Sequence, residues 1–155
     1  MDKSLHAVNA DYIQALKELV GGAPFPRLIG MRLEAIDIDR ATILLDIEER
    51  HFQPFGMVHG GVLATLIDTA TFWAAFLRLP PDAGLVNIDL KLNYLQPAQA
   101  GRLTATGRCI RPGRTLSYTE AHVHDERGEL LAHGTSTLMA LPGRGIDVGV
   151  AKFAA

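Results

Sequence analysis

The sequence has a single cysteine, Cys109, in 155 residues. No intramolecular disulfide is available, and a zinc site built on several cysteines is excluded. An excess of charge is also missing: Lys+Arg number 15 against Asp+Glu 17, for a formal net charge of -2. A nucleic-acid surface or a polybasic membrane patch draws on a positive excess that this chain lacks. The segment MDKSLHAVNADYIQALKELV has no apolar run behind a basic stretch, so no secretory leader is read in it, and a reducing cytoplasm is the expected location. Internal repeats and low-complexity tracts are absent. With 48% hydrophobic and 21% charged residues, the composition is globular, and residues 1–155 are expected to form one domain around one core.

One apolar stretch stands out, residues 60–77, with Asp68 near its middle. A charge at that depth costs a membrane-spanning helix roughly 2.5–3.5 kcal/mol. The stretch therefore reads as a buried helix, and its Asp needs an explanation. Before it, residues 9–20 repeat Tyr12, Ile13, Leu16, Leu19 and Val20 at helical spacing, with Gly21 and Gly22 as a stop and Pro24 and Pro26 in a connector. The period then changes to two over residues 33–39 and 42–48, a hairpin. Residues 51–58 form a loop, and residues 59–78 the long helix, stopped by Pro80-Pro81. Strands follow. Val86, Ile88, Leu90, Leu92 and Tyr94 alternate with Asn87, Asp89, Lys91 and Asn93, which predicts a half-buried strand with the apolar set inward. Residues 103–110, 115–124 and 130–141 are further strands joined by short turns, and the tail from 142 on has no period and is expected to be loosely ordered. The order predicts an α+β fold with a mainly antiparallel sheet.

Three segments carry a family resemblance: HFQPFGMVHGGVLATLIDTA (residues 51–70), VNIDLKLNYLQPAQAGRLTATG (86–107) and RPGRTLSYTEAHVHDERGELLAHGTSTL (111–138). His-Gly-Gly, an Asp nine residues after the His, and a later Tyr-Leu-x-Pro-Ala resemble the hotdog-fold acyl-CoA thioesterases of the phenylacetic-acid-pathway (PaaI-like) type, over roughly residues 30–141. The resemblance implies a long central helix wrapped by a curved antiparallel sheet of five to six strands, with an N-terminal helix. It also implies a homodimer or homotetramer with active sites between protomers, and hydrolysis of acyl-CoA to free acid and CoA without a cofactor. An acidic residue on the central helix, here Asp68, acts as general base or nucleophile, and a backbone N–H at the helix start polarises the thioester carbonyl.

Helix geometry bears on those roles. Gly60, Ala64, Asp68 and Phe72 share one face, and Gly60 and Asp68 stand about 12 Å apart along the axis. One carbonyl cannot meet both from a single helix, which fits a site shared by two copies. The helix start offers unpaired N–H groups and the positive end of the dipole, and Gly60 and Gly61 let a carbonyl approach the backbone. The expected catalytic set is Asp68, Gly61, Gln53 and His59, with His59 organising the helix start. Gln53 stands where the family often has Asn, with the same amide donors and acceptor one methylene further out. Asn87, where relatives often carry Ser or Thr, is either near the attacking water or a solvated strand residue. Gly60, Asn87, Phe72, Arg111 and Arg114 are the expected substrate contacts, the guanidinium groups suiting CoA phosphates. Blander readings stand beside these. Asp68 accepts hydrogen bonds from Thr65 or Thr69, the glycines allow tight packing, the arginines are solvated, Phe72 packs with Trp73 and Phe76, and Cys109 is a small core residue. His122 and His124 lie two apart on a strand with no third ligand placed beside them, so no metal site is expected. Two other functions stay open: a hydratase or dehydratase using His51 or His59 with an acid, and a non-catalytic acyl-CoA-binding module.

Overall fold

The computed structural model describes residues 7–154. Helix α1 spans Ala10–Gly22, with Asn9 as N-cap accepting from the Asp11 N–H. It buries Tyr12, Leu16 and Val20, the stripe its spacing predicts. The two glycines do not stop it, and the expected connector is itself a helix, α2, Pro24–Ile29. Proline at the first helical position gives up an N–H that would go unpaired anyway and supplies a helical φ. Gly30, left-handed at φ 72, closes α2.

Strands β1 (Met31–Asp37) and β2 (Arg40–Asp46) form the predicted hairpin, followed by a 3-10 turn at Glu49–His51. Helix α3 runs over Gly60–Phe76. It is followed by β3 (Ala83–Asn87), β4 (Lys91–Tyr94), β5 (Arg102–Arg111), β6 (Leu116–His124) and β7 (Leu130–Pro142). The seven strands form one antiparallel sheet in the order β1-β2-β5-β6-β7-β3, with β4 also beside β7. This is the hotdog arrangement that the resemblance implies, with seven strands in place of five or six. The single strand expected over residues 86–94 is broken in two, because Asp89 turns back onto β7: its carboxylate accepts from the Thr137 N–H and its carbonyl from the Ser136 hydroxyl.

The concave side of the sheet wraps α3, whose Leu63, Leu66, Ile67, Ala70, Trp73, Ala74, Ala75 and Phe76 are all buried. Each large apolar side chain removed from water there contributes roughly 1.5–3 kcal/mol. The wrap depends on close approach. A Cβ on Gly107 of β5 would overlap the carbonyl oxygen of Ala70, and one on Gly134 of β7 would reach Ile67 at 2.8 Å. Cys109 is buried in β5, and that burial pushes its thiol up to about 11. No helix among the described residues is long and apolar enough to cross a membrane.

Two expectations are corrected here. Along residues 86–94 only Leu90 and Leu92 of the predicted inward set pack on the core. Val86, Ile88 and Tyr94 are exposed, while Asn87 turns inward onto Ser136: β3 presents the opposite faces to those predicted, and with the strand broken at Asp89, Leu92 of β4 keeps its predicted side. The tail is not loose. Lys152 is buried, its ammonium donating to the Phe76 and Leu79 carbonyls at 2.9 and 2.8 Å. Phe153 bridges Val8, and Ile146, Val148 and Val150 pack on the core. Single anchors and a bridge leave no periodicity to read.

Candidate active site

The start of α3 is held from both sides. His51 is buried, with Nδ1 accepting from the Glu48 N–H at 2.9 Å and Nε2 2.8 Å from the Ile29 carbonyl, so both ring nitrogens are engaged. The His51 carbonyl accepts from the His59 N–H. His59 is the N-cap of α3, its Nδ1 accepting from the Gly61 N–H at 2.8 Å. The N–H expected to polarise a carbonyl at Gly61 is therefore occupied within the chain. The Gly60 N–H has no acceptor among the described residues. Gly60 borders a hollow of about 290 Å³ that it shares with Gln53, Met57, Leu63 and Tyr94. Its missing side chain makes room there, since a Cβ would stand 3.0 Å from the Tyr94 ring. Gln53 is folded onto its own loop, Oε1 accepting from the Phe55 N–H.

Asp68 lies two turns further along α3 and opens into a different hollow, of about 320 Å³. That space is walled by Val20, Phe25, Pro26, Met31, Phe72 and Trp73, from α1, α2, β1 and α3. No described side chain donates to the Asp68 carboxylate. Thr65 and Thr69, the partners a purely structural Asp calls for, donate instead to the Gly61 carbonyl and to Met31 Sδ. Burial without a compensating donor raises the carboxyl above the ordinary Asp range. The Asp68 backbone is well fixed: its carbonyl accepts from the Thr71 hydroxyl at 2.8 Å and from Asn87 Nδ2 at 3.4 Å. Asn87 also donates to the Ser136 hydroxyl at 3.0 Å. It ties β3 and β7 to α3 and is not a solvated strand residue.

Phe72 meets Trp73 edge-to-face at 4.9 Å and lines the Asp68 hollow as well as packing. Arg111 and Arg114 are exposed around the β5–β6 turn and line neither hollow. The structure thus gathers Gly60 and Gln53 at one place, Asp68 and Phe72 at another, and leaves the arginines apart. Sequence reasoning missed Phe25 and Pro26 as walls, since they lie in a segment read as a linker. An apolar Phe between two prolines was the available signal.

The family model of the thioesterase superfamily matches residues 55–132. The chain is 31% identical to a 1,4-dihydroxy-2-naphthoyl-CoA hydrolase of Listeria monocytogenes over 110 residues, 71% of this chain and 89% of that protein. A thioesterase family protein from Silicibacter pomeroyi superposes with a TM-score of 0.79 at 29% identity, over 85% of this chain and 99% of that one. The PaaI protein of the phenylacetic acid degradation operon of E. coli shares the fold, with a TM-score of 0.77 at 19% identity, over 84% of this chain and 94% of its own.

Proposed function

The chain belongs to the thioesterase superfamily, a family of thioester hydrolases, and from that premise we propose that it hydrolyses an acyl-CoA carrying a compact apolar acyl group, at a site completed by a second copy of itself. The observation that carries this is the unpartnered, half-buried carboxylate of Asp68 facing an apolar, aromatic-walled hollow of about 320 Å³. A binding module has no use for an ionisable group kept short of donors at the end of its pocket. A hydratase needs a free imidazole beside its acid, whereas both nitrogens of His51 are engaged and Nδ1 of His59 is held by the Gly61 N–H.

In this reading the acyl group occupies the hollow behind Asp68, and its carbonyl oxygen faces the Gly60 N–H of the second copy. The role anticipated for Gly61 falls to Gly60, and His59 serves by capping the turn that presents it. The positive end of α3 favours the oxyanion. Asp68 takes a proton from water as the water oxygen bonds to the carbonyl carbon, and the tetrahedral intermediate then expels CoA as thiolate. Gln53 borders the same hollow as Gly60 and orients the carbonyl or the water through its amide. Arg111 and Arg114 hold CoA phosphates, so alanine at both raises KM more than it lowers kcat. The test is thiol release from a panel of short, medium, long and aromatic acyl-CoAs. Turnover is expected for compact acyl groups, and release from none of them overturns the assignment.

A further inference from the structure

The outer face of the sheet, turned away from α3, carries a second constellation. Along β6, Thr119, Ala121 and Val123 point into the core, so Glu120, His122 and His124 point outward. On β7, His133 is the direct cross-strand partner of His122. Facing residues on antiparallel strands bring their Cβ atoms within about 4.5–5.5 Å, and here the two imidazole centroids lie 4.5 Å apart. Glu120 Oε2 stands 3.6 Å from His133 Nε2. The ligand-capable atoms of Glu120, His122 and His133 all fall within 4.8 Å of one another, and all three residues are half-buried.

We propose that Glu120, His122 and His133 form a binding site for one divalent transition-metal ion of the zinc type. Two ligand atoms bound at 2.0–2.1 Å to a tetrahedral ion are about 3.4 Å apart. The Glu120–His133 separation of 3.6 Å is already close to that, and small side-chain rotations bring in His122. Two imidazoles and one carboxylate suit zinc, nickel or copper over magnesium or calcium. Arg108 takes only Oε1 of Glu120, at 2.7 Å, and so aims Oε2 at the imidazoles, as outer-shell partners of metal ligands do. The site joins two adjacent strands on the side opposite the acyl hollow, so the ion staples β6 to β7 and takes no part in hydrolysis.

The test is calorimetric titration of the untagged chain with Zn2+, alongside His122→Ala, His133→Ala and the milder His133→Gln. The wild type should bind one ion per chain. Each variant should bind at least about tenfold more weakly, the loss that even an outer-shell change produces. Zn2+ should also raise the thermal midpoint of the wild type and not of the variants, all of which should match the wild type in EDTA. Absence of saturable binding by the wild type overturns the proposal. So does binding that the variants retain at full strength.

Discussion

At the scale of single residues, the central claim is about a proton. Asp68→Asn keeps size and shape and removes the ability to accept a proton, so kcat should fall by about a hundredfold or more. Burial raises the Asp68 pKa, so the native state holds its proton to a higher pH than the unfolded chain does, and the carboxylate costs the fold stability as pH rises through that window. The Asn variant should therefore melt no lower than the wild type at pH 7; low turnover with an unchanged or raised midpoint separates catalyst from scaffold. The same shift means that kcat/KM should climb with pH above the ordinary carboxylate range, a limb that the Asn variant lacks. Gly60→Pro is the complementary probe. Proline at the first helical position is well tolerated and the preceding residue, at φ -61 and ψ 136, has a backbone that proline accepts; the change removes the Gly60 N–H and adds a Cβ 3.0 Å from the Tyr94 ring, for which Gly60→Ala, keeping the N–H, is the control. Loss of one oxyanion donor is expected to cost about 10²–10³ in kcat with circular dichroism unchanged. Asp68 was legible because a charge in an apolar helix has few explanations. The occupancy of the Gly61 N–H was not, since it depends on which way the ring of His59 turns.

At the scale of elements, α3 and the strands after it were readable from period and punctuation, and the errors fell where a single side chain overrides a pattern. Asp89 breaks one strand into two, so that β3 has the reverse of the predicted faces while Leu92 of β4 keeps its own; Lys152 fastens a tail with no periodicity of its own. That lysine also gives a stability prediction. Burial lowers its folded pKa to about 8, below the ordinary 10.5. Between those values the native state binds fewer protons than the unfolded one, so its contribution to stability rises with pH across this window. Urea midpoints at pH 7.5 and 9.5 should show the wild type gaining on Lys152→Met as pH rises, and a difference that stays constant would contradict it. Where sheet meets helix the tolerance is steric: Gly107→Ala must displace the Ala70 carbonyl, and a chemical-denaturation loss of about 3 kcal/mol is expected.

At the scale of the whole molecule, the question is how Gly60 and Asp68, about 12 Å apart along one helix and each bordering its own hollow, serve one reaction. The exposed Val86, Ile88, Tyr94 and Leu95 lie along the β3–β4 margin of the sheet, an apolar strip that a second copy can cover. The species in sedimentation should exceed 16.8 kDa, and complementation tests the sharing directly. Asp68→Asn and Gly60→Pro should each be nearly inactive alone. Mixed and allowed to exchange subunits, half the dimers are hybrids with one intact site each, so about a quarter of wild-type activity should return. No recovery after verified exchange would place both groups in one chain. The half-site was legible in the sequence as the roughly 12 Å between Gly60 and Asp68 along one helix, whereas the exposed apolar margin was not, because the predicted alternation turned Val86, Ile88 and Tyr94 inward. The buried, poorly ionised Cys109 carries a practical consequence for all of these measurements. A disulfide reagent that reacts through thiolates finds none on the folded enzyme, so the colour it develops counts released coenzyme alone. By the same token, a cysteine engineered on the surface becomes the single address for a fluorescent dye, and subunit exchange can be followed by energy transfer in the wild-type background.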